Sequence, residues 1–505
     1  MTEKILFWLN SDLSTFCMSH YFQKNYPSDC YAIIDVTNKP KKFFIDQNFT
    51  KFEKIWFYHD YIKKFNGTPD IDYLKKFEKN YNIDLWKIAV NERLFYRFND
   101  FYKFSDNEIL LILEQECKLF EMILNEVKPD FFITNVTALH NHHLFYELVK
   151  AKGVKILMLL QSKLGYKCIL SNELEKFDFD NQLPKMEKTK RSFEEIREYI
   201  RSFSRSKQYA SFTKNFANSK SQLFKAALNY LLQINNPINK THYSYFGRNK
   251  IRVIQGSLSS KINKFFRGQF INRNLLRSIP KNEKFIYFPL HVDLERGLLI
   301  QTPFLTNQIE VIRNIAKSIP IEYKLFVKEH PFSAIRDWRK ISDYTELLKI
   351  PNVRIFHPSV SSEELIKNSS LIITIEGSSG FEAAIYEKPS IVFTKIYYTL
   401  LPSVTIVNSF DDLPNAIRSS LKKIVKSSDV NKFLELLEEN SFQHDSWGLD
   451  SSILSLFYYG GHLVDVEITN EKMNFFMQKN QSVLENFALE HIKKIQQLKE
   501  YDNAT

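Results

Sequence analysis

Short apolar runs alternate with stretches of helical periodicity in the first third of the chain. Strands are predicted at 4–10, 31–36, 54–58, 131–134 and 154–160, each rich in Ile, Val, Leu or aromatic residues. Helices are predicted at about 16–23, 107–127 and 139–150. Alternating strands and helices of these lengths favour a parallel sheet that is covered on both faces.

A second series of the same kind begins near residue 284. Its strands are predicted at 284–291, 323–328, 353–356, 371–375, 390–393 and 404–407. Thr302 and Pro303 are predicted as the N-cap and first residue of the helix that follows the first of these strands. A capping box is predicted for Ser361 with Glu364, and 411–414 is predicted to open a helix ending near residue 424.

These patterns predict an α/β fold with two Rossmann-like lobes facing a cleft. The predicted segments are an N-terminal Rossmann-like lobe at 1–182, a basic helical insertion or linker at 183–280, a C-terminal Rossmann-like lobe at 281–425 and a helical tail at 426–505 that packs back on the lobes. Helical pattern within the tail is clearest at 471–500, where it is polar enough to predict an outer helix. Ligands of such folds bind beyond the carboxyl ends of the strands.

The composition is that of a folded protein of two or three domains. The chain has 505 residues, of which 44% are hydrophobic and 15% aromatic. The apolar run at 5–9 is too short for a signal peptide or a membrane span, and no later run reaches about 18 apolar residues. The four cysteines are scattered without metal-binding or disulfide spacing. We therefore expect a protein of the reducing cytoplasm.

The net charge of +11 comes from one segment of the chain. Residues 185–284 contain 22 Lys and Arg, five Glu and no Asp. This segment is either a solvated helical surface or a surface that attracts an anionic partner, such as acidic lipid headgroups or an acidic polymer. No nucleic-acid-binding module accompanies the charge, so nucleic acid is not expected as a partner. A peripheral position on an anionic membrane surface, at the inner face of the cell membrane, is the functional expectation.

The strongest candidate site is a small-residue turn between the strand at 371–375 and a predicted helix. It consists of Glu376, Gly377, Ser378, Ser379 and Gly380. Glycines let a backbone approach a ligand, and N–H groups at a helix start favour a phosphate. The alternative is a tight structural turn with a serine N-cap. Glu382, in the first turn of that helix, is placed to reach a ribose hydroxyl or to interact with the helix dipole.

Two further loops follow strands of the same predicted sheet. In one, Lys328 and His330 precede a proline, and they are candidates to bind phosphate or, for the histidine, to cap backbone groups. In the other, His291, Glu295 and Arg296 are candidates to bind the sugar or pyrophosphate, with Glu295 or His291 as acid or base. Surface salt bridges of Glu295 and Arg296 are the alternative. All three loops are expected at one sheet edge.

The N-terminal half offers candidates for the acceptor side. Asn10, Ser11 and Asp12 follow the first strand, and Asp12 is a possible catalytic base. His140, with two neighbouring histidines, follows the strand at 131–134, and Gln161 ends the strand at 154–160. These histidines lack carboxylate or cysteine partners at metal-binding spacing, so they are predicted as helix-surface or acceptor-contact residues and no metal site is predicted.

Several motifs in order resemble the bacterial and archaeal capsule polysaccharide biosynthesis/export family, which includes transferases of 3-deoxy-manno-octulosonic acid (Kdo). The motifs are Phe288-Pro289-Leu290-His291, Glu295-Arg296, Asn307-Gln308, Val327 to Pro331, Thr374 to Ala383 and Lys388-Pro389. The His-Pro and paired-Ser elements are also similar to those of bacterial sialyltransferases. Asp293-Leu294 stands where Gln-Pro is expected, and the acidic motif that carries the sialyltransferase base is missing.

The resemblance implies a GT-B glycosyltransferase that takes a nucleotide-sugar donor and needs no other cofactor. It makes the lobe at 281–425 the expected nucleotide-sugar-binding lobe and the lobe at 1–182 the expected acceptor lobe. It places His330, Ser378 and Ser379 at the donor phosphate, with a CMP-sugar such as CMP-Kdo favoured and a UDP- or GDP-sugar as alternatives. The expected acceptor is a lipid-linked or polymeric surface glycan. Two other functions fit the pattern: a non-catalytic polysaccharide-binding or export protein, and a nucleotide-sugar epimerase of similar build.

Overall fold

The computed structural model describes residues 2–97, 99–174, 177–186, 188–203, 220–233, 237–334 and 338–504. The basic segment at 185–284 is therefore described in part, and its residues 187, 204–219 and 234–236 lie outside the described residues. Among the described helices, none combines the length and the apolar composition needed to cross a bilayer.

The chain forms two compact units. The first unit contains Met1–Glu173, Phe203–Lys250 and Asn440–Thr505, and the second contains Leu174–Ser202 and Ile251–Glu439. These units do not follow the predicted segment boundaries, because the basic segment is divided between them and most of the C-terminal tail belongs to the first unit. The tail does so because its helices pack on the first sheet.

The strands form two sheets. The first sheet contains β1 (Glu3–Asn10), β2 (Ser28–Asp35), β3 (Lys54–Phe57), β4 (Phe131–Asn135), β5 (Lys155–Gln161), β6 (Lys167–Ser171) and β13 (Phe442–Gln443). The second contains β7 (Phe285–Pro289), β8 (Lys324–Lys328), β9 (Val353–Phe356), β10 (Leu371–Thr374), β11 (Ser390–Val392) and β12 (Val404–Ile406).

Helices occupy much of the chain between and after these strands. In chain order, the α-helices of the described residues are α1 (Ser14–Asn25), α2 (Asn38–Asp46), α3 (Tyr58–Tyr61), α4 (Ile71–Tyr81), α5 (Leu85–Val90), α6 (Asp106–Val127), α7 (His140–Ala151), α8 (Phe193–Ser202), α9 (Lys220–Leu232), α10 (Ile238–Thr241), α11 (Lys250–Asn274), α12 (Gln308–Ser318), α13 (Ile341–Leu348), α14 (Ser362–Asn368), α15 (Ser379–Ile385), α16 (Leu413–Ser420), α17 (Ser427–Glu439), α18 (Ser446–Phe457), α19 (Asn470–Lys479) and α20 (Gln481–Ala504).

The first sheet has the strand order β13-β6-β5-β4-β1-β2-β3. Strands β1 to β5 are parallel, as predicted, whereas β6 pairs with β5 and β13 pairs with β6 in antiparallel fashion. Trp8 of β1 packs against Phe120 of α6 and Phe145 of α7. The opposite face of β1 belongs to a core that α1 and α20 complete. Helices therefore cover both faces of the sheet.

The second sheet has the strand order β12-β11-β10-β7-β8-β9, and every neighbouring pair is parallel. Numbered from β7, this is the 3-2-1-4-5-6 order of a doubly wound nucleotide-binding fold. One face packs on α12 and α16, and the other on α14 and α15. The parallel strands β1 to β5 of the first sheet and the fully parallel second sheet confirm the α/β, Rossmann-like fold predicted for both halves.

Local signals were partly correct. Ser361 accepts a hydrogen bond from the backbone N–H of Glu364, which is the serine half of the predicted capping box and makes Ser361 the N-cap of α14. The predicted N-cap at Thr302 is wrong: residues Pro303–Leu305 form a single 3-10 turn, and α12 starts after Asn307, whose side chain accepts from the N–H of Glu310. The tail helix at 471–500 is in fact two helices, α19 and α20, and a face of α20 is buried in the core of the first unit.

Candidate functional site

The second sheet brings three of the predicted loops to one edge. His291 follows β7, His330 follows β8, and Glu376 follows β10. In the strand order, β7 lies between β8 and β10. The chain adds β8 and β9 on one side of β7 and then β10, β11 and β12 on the other side, so the direction of winding reverses between β7 and β10. Ligands of doubly wound sheets bind at such a switch point, beyond the carboxyl ends of the strands. The predicted convergence of the three loops is therefore present.

His291 is held on several sides. Its side chain is buried, and Nε2 lies 3.1 Å from the hydroxyl of Thr374 at the end of β10. That hydroxyl also accepts the backbone N–H of Gly377 at 3.1 Å. The amide of Gln308, the first residue of α12, pairs with the backbone N–H and carbonyl of His291 at 2.8 and 3.0 Å. The histidine is thus tied both to the turn after β10 and to α12.

Two carboxylates face the other ring nitrogen of His291. Its Nδ1 lies 3.7 Å from Glu295 and 4.0 Å from Glu376. Burial would raise the pKa of the Glu295 carboxyl, but His291 and His330 lower it below its ordinary value. Ligand-type atoms of His291, Glu295 and Glu376 all lie within 4.8 Å of one another, so this group could hold a divalent cation, which the sequence did not predict. Without a cation, the same group can bind and move protons.

A buried ion-pair network fixes the loops that carry His291 and His330. The carboxylate of Glu329, which is fully buried, accepts hydrogen bonds from Arg339 Nε at 3.1 Å and from the hydroxyl of Tyr344 at 2.6 Å. The same guanidinium reaches the carboxylate of Asp293 and the carbonyl of His291. One arginine therefore joins the loop after β7 to the loop after β8. Sequence reasoning missed it, because Arg339 belongs to no periodic pattern and pairs with residues far away in the chain.

His330 presents a defined ring nitrogen. Its Nδ1 accepts the backbone N–H of Phe332 at 3.1 Å, so the neutral imidazole carries its hydrogen on Nε2. Burial lowers the pKa of His330, although the charges of Glu295 and Glu329 oppose the shift. The ring is consequently a neutral N–H donor near pH 7. His330 therefore caps a backbone N–H, which was one of the two predicted roles, and its Nε2–H is still available to donate to a ligand.

The turn after β10 is shaped by its neighbours. A Cβ on Gly380 would lie 2.4 Å from the hydroxyl of Tyr398, and a Cβ on Gly377 would lie 2.8 Å from the hydroxyl of Thr374. Tyr398 in turn donates to the carbonyl of Gly377. Both glycines are therefore needed for contacts within the protein, and not only for the predicted approach of a ligand. Tyr398 is a site residue that the sequence did not reveal.

The serines of this turn do not cap the helix. The side chain of Ser378 makes no cap hydrogen bond and donates instead to Glu382 at 3.1 Å. The hydroxyl of Ser379 is buried and has no hydrogen-bond partner among the described residues. The alternative of a serine-capped structural turn is thus not what the structure has, and one hydroxyl is left to serve a ligand.

The two cationic candidates differ in position. Lys328 is almost fully buried and donates to Ser362 at 2.6 Å. Burial lowers the pKa of Lys328 to about 8, while the charge of Glu382 opposes the shift. Arg296 is half-buried and precedes the π-helical turn Gly297–Gln301. Lys328 thus supplies charge from within the protein, and Arg296 lies in the loop itself.

The first sheet has a switch point of its own, between β1 and β4. Asp12, after β1, accepts a hydrogen bond from the side chain of Asn135 at the end of β4 at 2.6 Å. It also accepts the N–H of Ser14, the first residue of α1, at 3.1 Å. Burial raises the pKa of the Asp12 carboxyl. Asn10 accepts the N–H of Asp12 at 2.8 Å, next to the half-buried Ser11.

The C-terminal segment also reaches this edge. Gln161, at the end of β5, donates to Ser446 at 3.4 Å. Asp450 of α18 is within electrostatic range of Asp12, and the pKa of its carboxyl is raised by burial and by Asp12 and Asp445. Asp12 and Gln161 therefore lie at the carboxyl edge, as predicted, and the sequence did not indicate their neighbours from α18.

His140 does not lie where the sequence placed it. It was predicted as a helix-surface or acceptor-contact residue, but it is buried between Glu92, 3.1 Å from Nδ1, and Glu116, 2.9 Å from Nε2. Burial alone would lower the pKa of His140, but Glu116 and Glu92 raise it to about 10. His140 is therefore an imidazolium in a buried ion triad. The sequence did not indicate this ion triad, because Glu92 and Glu116 lie far from His140 in the chain.

Comparison with protein families supports the resemblance seen in the motifs. Residues 194–428 match the model of the family described as capsule polysaccharide biosynthesis protein. The matched segment is just under half of the chain's 505 residues. It contains most of the second unit, including the loops after β7, β8 and β10. Comparison with curated protein sequences gives no match.

Solved structures give remote similarities. The beta Kdo 2,7 transferase KpsC of Thermosulfurimonas dismutans is 12% identical, with 67% of this chain and 88% of that chain covered and a TM-score of 0.30. The UDP-GlcNAc 2-epimerase of Methanocaldococcus jannaschii, solved with UDP-GlcNAc and UDP, is 14% identical, with 86% and 99% covered and a TM-score of 0.25. Because these identities and TM-scores are low, the two structures carry no argument about this chain. The fold follows from the strand order of the two sheets, and the relation to a family follows from the match over residues 194–428.

Proposed function

We propose that this protein is a glycosyltransferase of capsule polysaccharide biosynthesis that takes its sugar from a nucleotide-sugar donor bound by the second unit. The observation that carries the proposal is the convergence of His291, His330 and Glu376 at the switch point of a 3-2-1-4-5-6 sheet. The family match over the same unit supports a role in capsule polysaccharide biosynthesis.

The donor phosphate is assigned to the loops after β8 and β10. The Nε2–H of His330 and the hydroxyl of Ser379, which has no partner in the described part of the chain, are neutral donors. Ser378 is assigned as a second hydroxyl that turns from Glu382 to the phosphate when the donor binds. Donors fixed in place stabilise the charge that develops on a departing phosphate, which is often the largest part of catalysis. Lys328 and Arg296 add positive charge, and Glu382 is assigned to a ribose hydroxyl.

Proton transfer is assigned to two places. Near the donor, His291 with Glu295 forms an acid–base pair whose geometry is fixed by Thr374 and Gln308. On the acceptor side, Asp12 is the proposed base, because a carboxyl with a raised pKa is a stronger base than an ordinary aspartate. Asn10, Ser11 and Gln161 are assigned to the acceptor. His140, which is enclosed in its ion triad, is not.

The donor is proposed to be a CMP-sugar, such as CMP-Kdo, with UDP- and GDP-sugars as the alternatives. The family resemblance supports this preference, and the site adds a cluster of neutral and cationic donors that suits any nucleotide phosphate. The acceptor is proposed to be a lipid-linked or polymeric glycan that is extended on the cytoplasmic side of the cell membrane.

The test is release of nucleotide from each donor class by the purified full-length chain and by a His330→Ala variant. We expect at least about a 100-fold loss of kcat in the variant, since it loses a fixed donor to the leaving phosphate. His357→Ala is the matched control, because His357 follows the neighbouring strand β9 and bonds to Ser359 and Asn272. Equal activity of wild type and His330→Ala would refute the assigned role.

Two outcomes would point to the other functions. Conversion of a nucleotide sugar to its epimer without any acceptor would make the site that of an epimerase. Binding of an acidic glycan, with no binding of CMP, UDP or GDP, would make the chain a polysaccharide-binding or export protein. A ligand raises the apparent stability of the protein that binds it, so thermal stabilisation by each nucleotide separates these cases before any turnover is measured.

A further inference from the structure

Helix α11 carries an exposed apolar stripe. Six large apolar side chains in its first two thirds are each between 46% and 68% exposed: Ile251, Ile254, Leu258, Ile262, Phe265 and Phe266. At 100° per residue they occupy a sector about 120° wide and roughly 22 Å long. Soluble proteins rarely leave a continuous apolar surface of this kind in water, so the stripe indicates an interaction surface.

The rest of α11 is basic. The helix contains six Lys and Arg and no acidic residue. Lys261 lies at one border of the stripe and Arg252 at the other, when the helix is drawn at 100° per residue. Long basic side chains at the border of an apolar face can extend toward lipid phosphates while their aliphatic stems stay over the apolar surface.

The end of α11 is anchored in the second unit. Ile271 is fully buried in the core beneath the second sheet, and Phe270 lies against the ring of Tyr344 with centroids 6.4 Å apart. Arg267 donates to the carbonyl of Trp338 at 3.2 Å. The stripe therefore belongs to a helix that is fixed at one end and exposed along the remainder.

We propose that α11 lies in the interface of an anionic lipid bilayer, with the stripe inserted among the acyl chains and the basic residues at the headgroups. An apolar face bordered by cationic residues, without acidic ones, is the composition that holds helices in the plane of such a surface. The sequence indicated only the positive charge of the basic segment, and the structure adds the exposed apolar side chains that would insert. The inference does not rest on the proposed transferase activity.

Charge separates this occupant from two others. A second copy of the chain, paired stripe to stripe, would bring together two α11 helices that each carry six cations. Neither helix has an acidic residue that could pair with the cations of the other. A soluble acidic glycan would pair with the cations but leave the six apolar side chains in water. An anionic bilayer satisfies both features at once.

The experiment measures binding of the full-length chain to vesicles of phosphatidylcholine alone or with about one third phosphatidylglycerol. We expect binding to the anionic vesicles only, weakened by salt because the Debye length falls from about 10 Å at 0.1 M to about 3 Å at 1 M. The double substitution Leu258→Gln with Phe265→Gln should lower the partition coefficient by more than about tenfold, since two inserted side chains are lost.

Matched controls use exposed apolar residues elsewhere on the second unit. Phe304 and Ile424 are more exposed than any residue of the stripe, so Phe304→Gln with Ile424→Gln should leave vesicle binding unchanged. A local readout is Phe265→Trp, whose fluorescence should shift to shorter wavelength with anionic vesicles. The proposal is overturned if the stripe variant binds like wild type, if Phe265→Trp shows no shift, or if the substitutions alter only the oligomeric state.

Discussion

Replacing Arg339 tests whether the ion-pair network holds the site together. In Arg339→Met the aliphatic volume is largely kept, but the carboxylate of Glu329, which is fully buried, loses its cation, and Asp293 loses the same partner. Removing one member of a buried ion pair typically costs about 3–5 kcal/mol. That is a large part of the roughly 5–15 kcal/mol by which a folded protein is stable.

The control is Arg313→Met. Arg313 also pairs with two glutamates, Glu310 and Glu346, but all three side chains are 40–45% exposed. Exposed pairs contribute about 0–1 kcal/mol, so this substitution should cost less than about 1 kcal/mol. The two arginines have the same number of carboxylate partners and differ in burial, which is the variable under test.

Hydrogen exchange read by mass spectrometry resolves the two units. In Arg339→Met, amides of β7 and β8 should exchange roughly 100-fold faster or more, as expected for a loss of about 3 kcal/mol, while those of β1 and β4 keep their rates. A loss below about 1 kcal/mol, or one equal to that of Arg313→Met, would refute the reasoning that burial of Glu329 makes the pair essential.

Three further predictions concern other parts of the molecule. Gly380→Ala should abolish nucleotide binding because its Cβ clashes with the hydroxyl and two ring carbons of Tyr398, and adding Tyr398→Ala, which removes all three atoms, should restore part of the binding measured by calorimetry. In the folded protein the pKa of His140 is raised to about 10, so its contribution to the free energy of unfolding is complete below about pH 6.5 and is lost as the pH rises toward 10. Urea unfolding of His140→Gln should lack this fall in the free energy of unfolding with pH. Asp12→Asn should lower transfer to acceptor at least about 100-fold with the donor KM within about threefold, and a changed KM with unchanged kcat would contradict its role as base.

The sequence predicted the elements whose signals are local. The strands of the second sheet are short apolar runs that end in turn residues, and each was predicted within a few residues of its bounds. The turn at 376–380 was found because small residues follow an apolar strand directly. Strands β6 and β13 were missed. Strand β6 pairs with the preceding β5 after a short loop, and β13 has only two residues and is a strand because it pairs with the distant β6.

The sequence predicted where the site lies in the fold, but it did not predict the residues that hold the site side chains in place. His291 and His330 follow strand ends, which places them at one edge for any parallel sheet. The sequence did not indicate Arg339 or Tyr398, and it offered Gln308 only as part of a family motif. Their partners lie 10 to 48 residues away, and no spacing reveals such pairs. His140 shows the same limit, because a histidine at a strand end looks the same in sequence whether it faces a ligand or two buried glutamates.

The most direct test of the central claim is hydrogen exchange of the full-length chain with and without nucleotide sugar, applied to CMP-, UDP- and GDP-linked donors in turn. One donor class should slow exchange in the loops after β7, β8 and β10, including the N–H groups of Gly377 and Ser379, and leave the loop after β9 unchanged. If every donor leaves these three loops unprotected, or if protection appears only elsewhere in the chain, the second unit does not hold the donor as proposed.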